Sequence, residues 1–127
     1  MKSIQTTQAP AAIGPYVQAN LAFGRLYTSG QIAIDPATGK LVEGDITAQT
    51  AQVMANIDAL LKEAGSNWDH VVKTTCFLTD MGDFDAFNAE YAKSFADVLP
   101  ARSCVAVAGL PKGALVEVEV IAMLAEI

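Results

Sequence analysis

Three charged side chains interrupt strands otherwise built of small and apolar residues: Arg102, Glu117 and Glu119. Arg102 follows Pro100-Ala101 and opens the run Ser103-Cys104-Val105-Ala106. A guanidinium placed there holds a carboxylate through two parallel charge-assisted hydrogen bonds. The plainer alternatives are a strand-end arginine paired with Glu117 or Glu119, or a solvated one. Glu117 and Glu119 alternate with Val116, Val118 and Val120, where charge is costly unless it is paired or exposed. Either carboxylate could activate a water as general base; an edge strand or an ion pair with Arg102 accounts for them too. Cys104 lies two residues from Arg102. A catalytic thiol needs a base or a positive field, and no histidine is near it in sequence, so a pocket wall is the better reading. Cys76 reads as core. Tyr16, Ser29 and Asn88 are ordinary taken singly, although asparagine is a mediocre helix former and leaves room for a side-chain role.

The rest of the composition narrows the chemistry. Eight Lys+Arg against 14 Asp+Glu give a net charge of −6, and only two residues, Arg25 and Arg102, are arginines. Nucleic-acid binding draws its affinity from clustered cations, and no basic run is present. The single histidine, His70, cannot form a metal site alone, and no Cys-x-x-Cys or His-x-x-x-His spacing occurs. A metal cofactor is not expected. Two cysteines without a secretory signal read as free thiols. No apolar run approaches the ~18 residues of a membrane helix, Val120–Ala125 being typical of the longest. A cytoplasmic protein of one domain, spanning residues 1–127, is expected.

The elements that must position these residues follow from periodicity. The first fifteen residues, ending in Gly14-Pro15, read as an extended arm. Strands are predicted over Tyr16–Ala19 and Leu26–Ile34, with a turn at Phe23-Gly24-Arg25 and another at Asp35-Pro36-Ala37-Thr38-Gly39. Val53, Ile57, Leu60, Leu61 and Ala64 form one stripe of a helix over Thr47–Ala64, capped by Asp45 or Thr47 and stopped by Gly65. Val71–Leu78 reads as a buried strand. A second helix is predicted over Phe84–Val98, with Asp83 as its cap, Phe84, Phe87, Tyr91, Phe95 and Val98 on one face, and Pro100 as its stop. Arg102–Ala108 and Leu115–Ala125 complete the set, joined by Gly109–Gly113 as a local hairpin. The order is β-β-α-β-α-β-β, an α+β arrangement of one sheet and two helices, with parallel neighbours on either side of the second helix.

Strand alternation then assigns faces. Val116, Val118 and Val120 share one side and Glu117, Glu119, Ile121 and Met123 the other; Val105 and Val107 oppose Arg102, Cys104 and Ala106. Packing the valine faces on the helices leaves Arg102, Cys104, Glu117 and Glu119 together on an uncovered, half-apolar face. Such a face predicts self-association, with a ligand pocket at the subunit interface.

Taken together, several segments resemble the RidA/YjgF family of reactive-intermediate deaminases. They are Ala9-Pro10-Ala11-Ala12-Ile13-Gly14-Pro15-Tyr16, Thr28-Ser29-Gly30-Gln31, Val72-Lys73-Thr74-Thr75-Cys76-Phe77-Leu78 and Asp83-Phe84 through Phe87-Asn88-Ala89-Glu90-Tyr91. Pro100-Ala101-Arg102-Ser103-Cys104-Val105, Leu110-Pro111-Lys112-Gly113 and Val116-Glu117-Val118-Glu119 complete the match over essentially the whole chain. The resemblance implies a chorismate-mutase-like fold, a mixed sheet with two helices on one face, assembled as a homotrimer with pockets between subunits. It also implies that the last strand inserts beside the first, against the local hairpin. The implied reaction is cofactor-free hydrolysis of 2-imino acids or their enamine tautomers, such as 2-aminoacrylate, to 2-keto acids and ammonia. This removes intermediates that damage pyridoxal-phosphate enzymes. Carried over, Arg102 clamps the substrate carboxylate and Glu117 activates the attacking water; only the resemblance chooses Glu117 over Glu119. Tyr16 and Asn88 line the pocket, and Ser29, Gly30 and Cys104 border it. No departure from the family pattern occurs at these positions. A non-catalytic sensor of small keto or amino acids, using the same pocket, is the alternative. The ribonuclease activity also attached to the family fits poorly with a net charge of −6.

Overall fold

The computed structural model describes residues 1–124; Ala125, the predicted end of the last strand, lies outside them. The N-terminal arm is not wholly irregular. It opens with a three-residue strand, β1 (Lys2–Ile4), which pairs antiparallel with β2 (Ala19–Ala22). β2 returns as β3 (Arg25–Thr28) through a two-residue loop, Phe23-Gly24, with φ of 52° and 74°. Positive φ at both positions is the hairpin turn whose twist matches that of paired strands. The strand predicted to start at Tyr16 therefore starts at Ala19. The strand predicted over Leu26–Ile34 is two pieces: β3, and β4 (Ile34–Asp35), which pairs with β5 (Lys40–Leu41) across the predicted Asp35–Gly39 turn.

Helix α1 (Ile46–Glu63) starts where the Asp45 carboxylate accepts from Ala48 N, so Asp45 and not Thr47 is the cap. It ends at Gly65, φ 76°, a left-handed stop. Val53, Ile57, Leu60 and Leu61 are fully buried, while Asp58 and Lys62 pair at 2.7 Å on the wet side. Strand β6 (Val71–Leu78) follows as predicted. Helix α2 (Phe84–Tyr91) is shorter than its stripe: a 3₁₀ turn at Ala92–Ser94 unwinds it, and Val98 is exposed. Phe95 leaves the helix yet stays in the core, its ring 5.2 Å from Trp68 and 4.9 Å from Tyr91. Asp83 caps nothing with its side chain; Asp80 instead accepts from Gly82 N in the turn leading into α2.

The last strands are β7 (Ala101–Ala106) and β8 (Val116–Met123). They do not form a hairpin. β8 lies antiparallel between β3 and β6, and β7 runs parallel to β6 at the sheet edge, giving the order β1-β2-β3-β8-β6-β7. The insertion of β8 follows the resemblance, but its partner is the second strand of the N-terminal hairpin. Leu26, Cys76, Leu78, Val116, Val118 and Val120 turn toward α1 and α2 and form the core. Lys73, Thr75, Phe77, Glu117, Glu119 and Ile121 alternate onto the opposite, uncovered face, as the register with β6 requires.

That register corrects the face predicted for β7. Cys104 pairs with buried Cys76, so Arg102 and Cys104 point toward the helices, whereas Ser103 and the exposed Val105 share the open face with Glu119 and Glu117. The run Arg-Ser-Cys-Val-Ala has no clean apolar side, and at a sheet edge the valine is the residue left out. Val116, Val118 and Val120 do pack on the helices, as expected.

Candidate functional site

The open-face carboxylates are placed by an irregularity in the pairing of β3 with β8. The regular ladder ends at Tyr27–Ile121 and resumes at an isolated bridge between Gln31 and Val118, with N–H···O bonds of 2.8 and 3.1 Å. Three residues, Thr28–Gly30, thus oppose two, Glu119 and Val120, the geometry of a bulge. The Thr28 hydroxyl accepts from Val120 N at 3.0 Å and fills the gap. Gly30 is thereby laid on Glu117. A Cβ at that position would stand 2.5 Å from Glu117 Oε1 and 2.7 Å from its Cδ, so only glycine leaves the carboxyl where it is. Ser29 is fixed from both ends, donating its hydroxyl to Val17 O at 2.6 Å and its N–H to Gln18 O at 2.9 Å.

Glu117, Glu119, Ser29 and Gly30 line a cavity of about 420 Å³. Ile32 and Ile34 form its inner wall, held by the buried Asn56 side chain of α1, which donates to both their carbonyls at 3.2 and 2.9 Å. Pro10, Ala11, Ile13 and Tyr16 form its outer wall. Tyr16 belongs to a bend, not a strand; its phenol oxygen accepts from Ile13 N at 3.2 Å. Burial foremost, and the Glu119 charge second, raise the Glu117 carboxyl above the usual carboxylate range. The lining residues include two carboxyls and neither lysine nor arginine. Both glutamates face the cavity, and Glu117 is the one pressed against Gly30.

Arg102 stands on the other side of the sheet, under α2. Its guanidinium carbon lies 4.9 Å from the Tyr91 ring centre, 5.6 Å from Phe84 and 5.8 Å from Phe87, and Nη1 donates to Asn88 Oδ1 at 2.7 Å. Ring faces attract a cation without neutralising it. Among the described residues the ion pairs are Lys62–Asp58 and Lys93–Glu90, so no carboxylate occupies the fork. The alternative in which Arg102 pairs with Glu117 or Glu119 does not hold, because the sheet separates them. Tyr91 is itself anchored, its hydroxyl 2.8 Å from Thr74 Oγ1. Cys104 shares this face; burial raises its thiol pKa and Arg102 opposes this only in part, which suits a wall and not a nucleophile. Cys76 is core, its thiol pushed up to about 11 chiefly by burial. Sequence reasoning missed the aromatic seat of Arg102, because Phe84, Phe87 and Tyr91 at spacings of three and four look like any core stripe.

The six sequence-chosen pocket residues thus fall into two groups. Tyr16, Ser29 and Gly30 gather with Glu117 at the open-face cavity, and Asn88 and Cys104 gather with Arg102 beneath α2. A family model described as Endoribonuclease L-PSP matches residues 6–124 of the chain. The chain belongs to the RidA/YjgF/L-PSP family. Among curated relatives of this family member, a Lactococcus lactis protein named as a candidate regulator, AldR, is 58% identical over 122 residues, covering 96% of this chain and 97% of the relative. The 2-iminobutanoate/2-iminopropanoate deaminase of Mus musculus is 47% identical over 122 residues, covering 96% of this chain and 90% of that one. Among solved structures, Escherichia coli TdcF with bound serine superposes with a TM-score of 0.94 at 39% identity, covering 98% of this chain and 100% of that one. Among the described residues no helix is long and apolar enough to cross a membrane, and no three His, Cys, Asp or Glu side chains gather to hold a metal ion.

Proposed function

We propose that this protein hydrolyses 2-imino acids and their enamine tautomers, such as 2-iminopropanoate and 2-iminobutanoate, to 2-keto acids and ammonia, in sites completed between neighbouring copies of a homotrimer. The observation that carries the proposal is the separation of charge. The cavity that presents Glu117 has no cation among its lining residues, while a guanidinium without a carboxylate partner among the described residues sits at the edge strand on the opposite face. A second copy supplies what each cavity lacks. The open face is suited to being covered, since Tyr27, Val105 and Met123 leave apolar surface exposed on the same side of the sheet as the cavity.

In this reading Arg102 of a neighbouring copy grips the substrate carboxylate, and Asn88 and the three rings keep its fork oriented. The substrate's C=N carbon then stands over Glu117. Glu117 takes a proton from water as the oxygen adds to that carbon, forming a carbinolamine. That proton passes to the nitrogen; Glu117 then carries the carbinolamine's hydroxyl proton to the nitrogen as the C–N bond breaks, so the oxygen closes to the keto group and ammonia leaves. A carboxyl whose pKa is raised by burial takes and returns a proton nearer neutrality than an exposed one. The serine bound in the TdcF relative and the named substrates of the mouse relative support a small carboxylate ligand. A cavity edged by two carboxyls in a chain of net charge −6 is poorly suited to RNA.

The test couples a pyridoxal-phosphate threonine dehydratase to this protein and traps free imine with semicarbazide. Wild-type protein lowers the trapped imine; Arg102→Ala abolishes the effect; Glu117→Gln lowers kcat by about a hundredfold while 2-keto acid binding survives. Unchanged trapping with wild-type protein refutes the deaminase and leaves a small-carboxylate regulator, the reading that the AldR relative favours.

A further inference from the structure

The outer wall of the cavity is made by a segment with almost no structure of its own. Residues 9–15 contain two prolines, and among the described residues their only backbone–backbone bond runs from Tyr16 N to Gly14 O. One buried side chain holds the start of this segment in place. Gln18 Oε1 accepts from Thr6 N at 2.8 Å, and Gln18 Nε2 donates to the carbonyls of Thr6, Ala9 and Pro10 at 3.0, 3.2 and 2.7 Å. Among the described residues, every hydrogen bond between residues 6–10 and the rest of the chain ends on this amide. Gln18 is 4% exposed, so these bonds are shielded from competing water. Its main chain meanwhile accepts from Ser29 N at 2.9 Å, on the other side of the cavity. One residue therefore ties the outer wall to the Ser29–Gly30 floor.

We infer that Gln18 is a positioning residue that sets which imino-acid side chains the cavity accepts, by holding Pro10, Ala11 and Ile13 at a fixed distance from Gly30 and Glu117. The inference rests on the deaminase reading. The amide touches neither the reacting carbon nor the substrate carboxylate in that reading. It fixes the apolar wall against which the substrate's own side chain packs. A small substrate makes little use of that wall, and a branched one depends on it. Both halves of the amide are needed: glutamate in its place keeps the acceptor for Thr6 N but turns a second oxygen toward three carbonyl oxygens, so it does not substitute.

The experiment compares Gln18→Ala and Gln18→Glu with wild type on 2-iminopropanoate and on the branched 2-imino acid derived from leucine. Both variants are expected to raise KM for the branched substrate by about tenfold and to leave kcat for the small one within about twofold. Ile13→Ala, at an exposed wall position that folding does not depend on, gives the same substrate-dependent shift without touching Gln18. Equal losses on both substrates, or none on either, overturn the inference. If wild-type protein hydrolyses neither imino acid, the deaminase reading fails separately. The wall is then measured by binding of the corresponding 2-keto acids and by amide exchange. Selective loss of branched-acid affinity with faster amide exchange at Thr6 upholds Gln18 as the positioning residue, and unchanged affinity refutes it.

Discussion

The two faces of the sheet handle charge in opposite ways. On the helix side, Arg102 is embedded among three aromatic rings and an asparagine oxygen, a seat that fixes its direction and leaves its charge intact. On the open side, Glu117 is pressed under Gly30 beside a second carboxylate, surroundings that favour its protonated form. A cation kept charged is suited to binding; a carboxyl made reluctant to ionise is suited to moving protons. The division teaches that one fold can prepare both groups only by keeping them apart, since a direct ion pair would quench each.

The strongest challenge to this division is complementation. Arg102→Ala and Glu117→Gln chains, each inactive alone, are co-expressed and assayed together. Free assortment in a ring leaves about a quarter of the interfaces with both residues intact, and that share of wild-type activity is the expected recovery. No recovery means that each chain carries its own complete site. Next in size is Gly30→Ala. Its methyl meets the flexible end of Glu117, so the fold accommodates it with little change in Tm, while the displaced carboxyl lowers kcat by about a hundredfold. An active variant would show that the close approach has no role. Asn88→Ala removes one bond from a guanidinium still seated on its rings, and about a tenfold rise in KM at constant kcat is expected. A fall in kcat instead would place Asn88 on the chemical step.

The smallest effect is in pH. The acid limb of kcat/KM is expected above the ordinary carboxylate range, and Glu119→Gln moves it down, because the Glu119 charge is part of what raises Glu117. Stability has a definite sign as well. With the folded-state pKa of Glu117 raised, the stabilisation is full below the unfolded carboxyl's value and is lost as pH rises through the raised one. Wild type therefore loses stability over that window relative to Glu117→Gln, as denaturant titrations at several pH values would register.

The sequence made legible whatever is local and periodic. The α1 stripe, the Gly65 stop, β6 and the valine face of β8 were all visible, since each repeats a burial pattern over several turns or residue pairs. β1 was not, because three residues bounded by a polar arm have no period, and their partner lies fifteen residues on. The end of α2 was masked by Phe95, which keeps the apolar spacing while serving the core from outside the helix. In the site, residue types were enough to single out Arg102, Glu117 and their neighbours. Their distribution was not readable, because alternation in β7 is ambiguous and its true reference, the pairing of Cys104 with Cys76, is a contact between strands.

The tip of the β2–β3 hairpin shows a different kind of economy. Phe23 is 95% exposed and holds a left-handed backbone that disfavours any residue with a Cβ. Its ring recovers nothing by burial within its own chain, so the chain tolerates there about 1 kcal/mol of strain that an asparagine or glycine would relieve. That unclaimed reserve gives this scaffold mutational slack: an asparagine at the hairpin tip could offset a destabilising change introduced elsewhere for a new substrate.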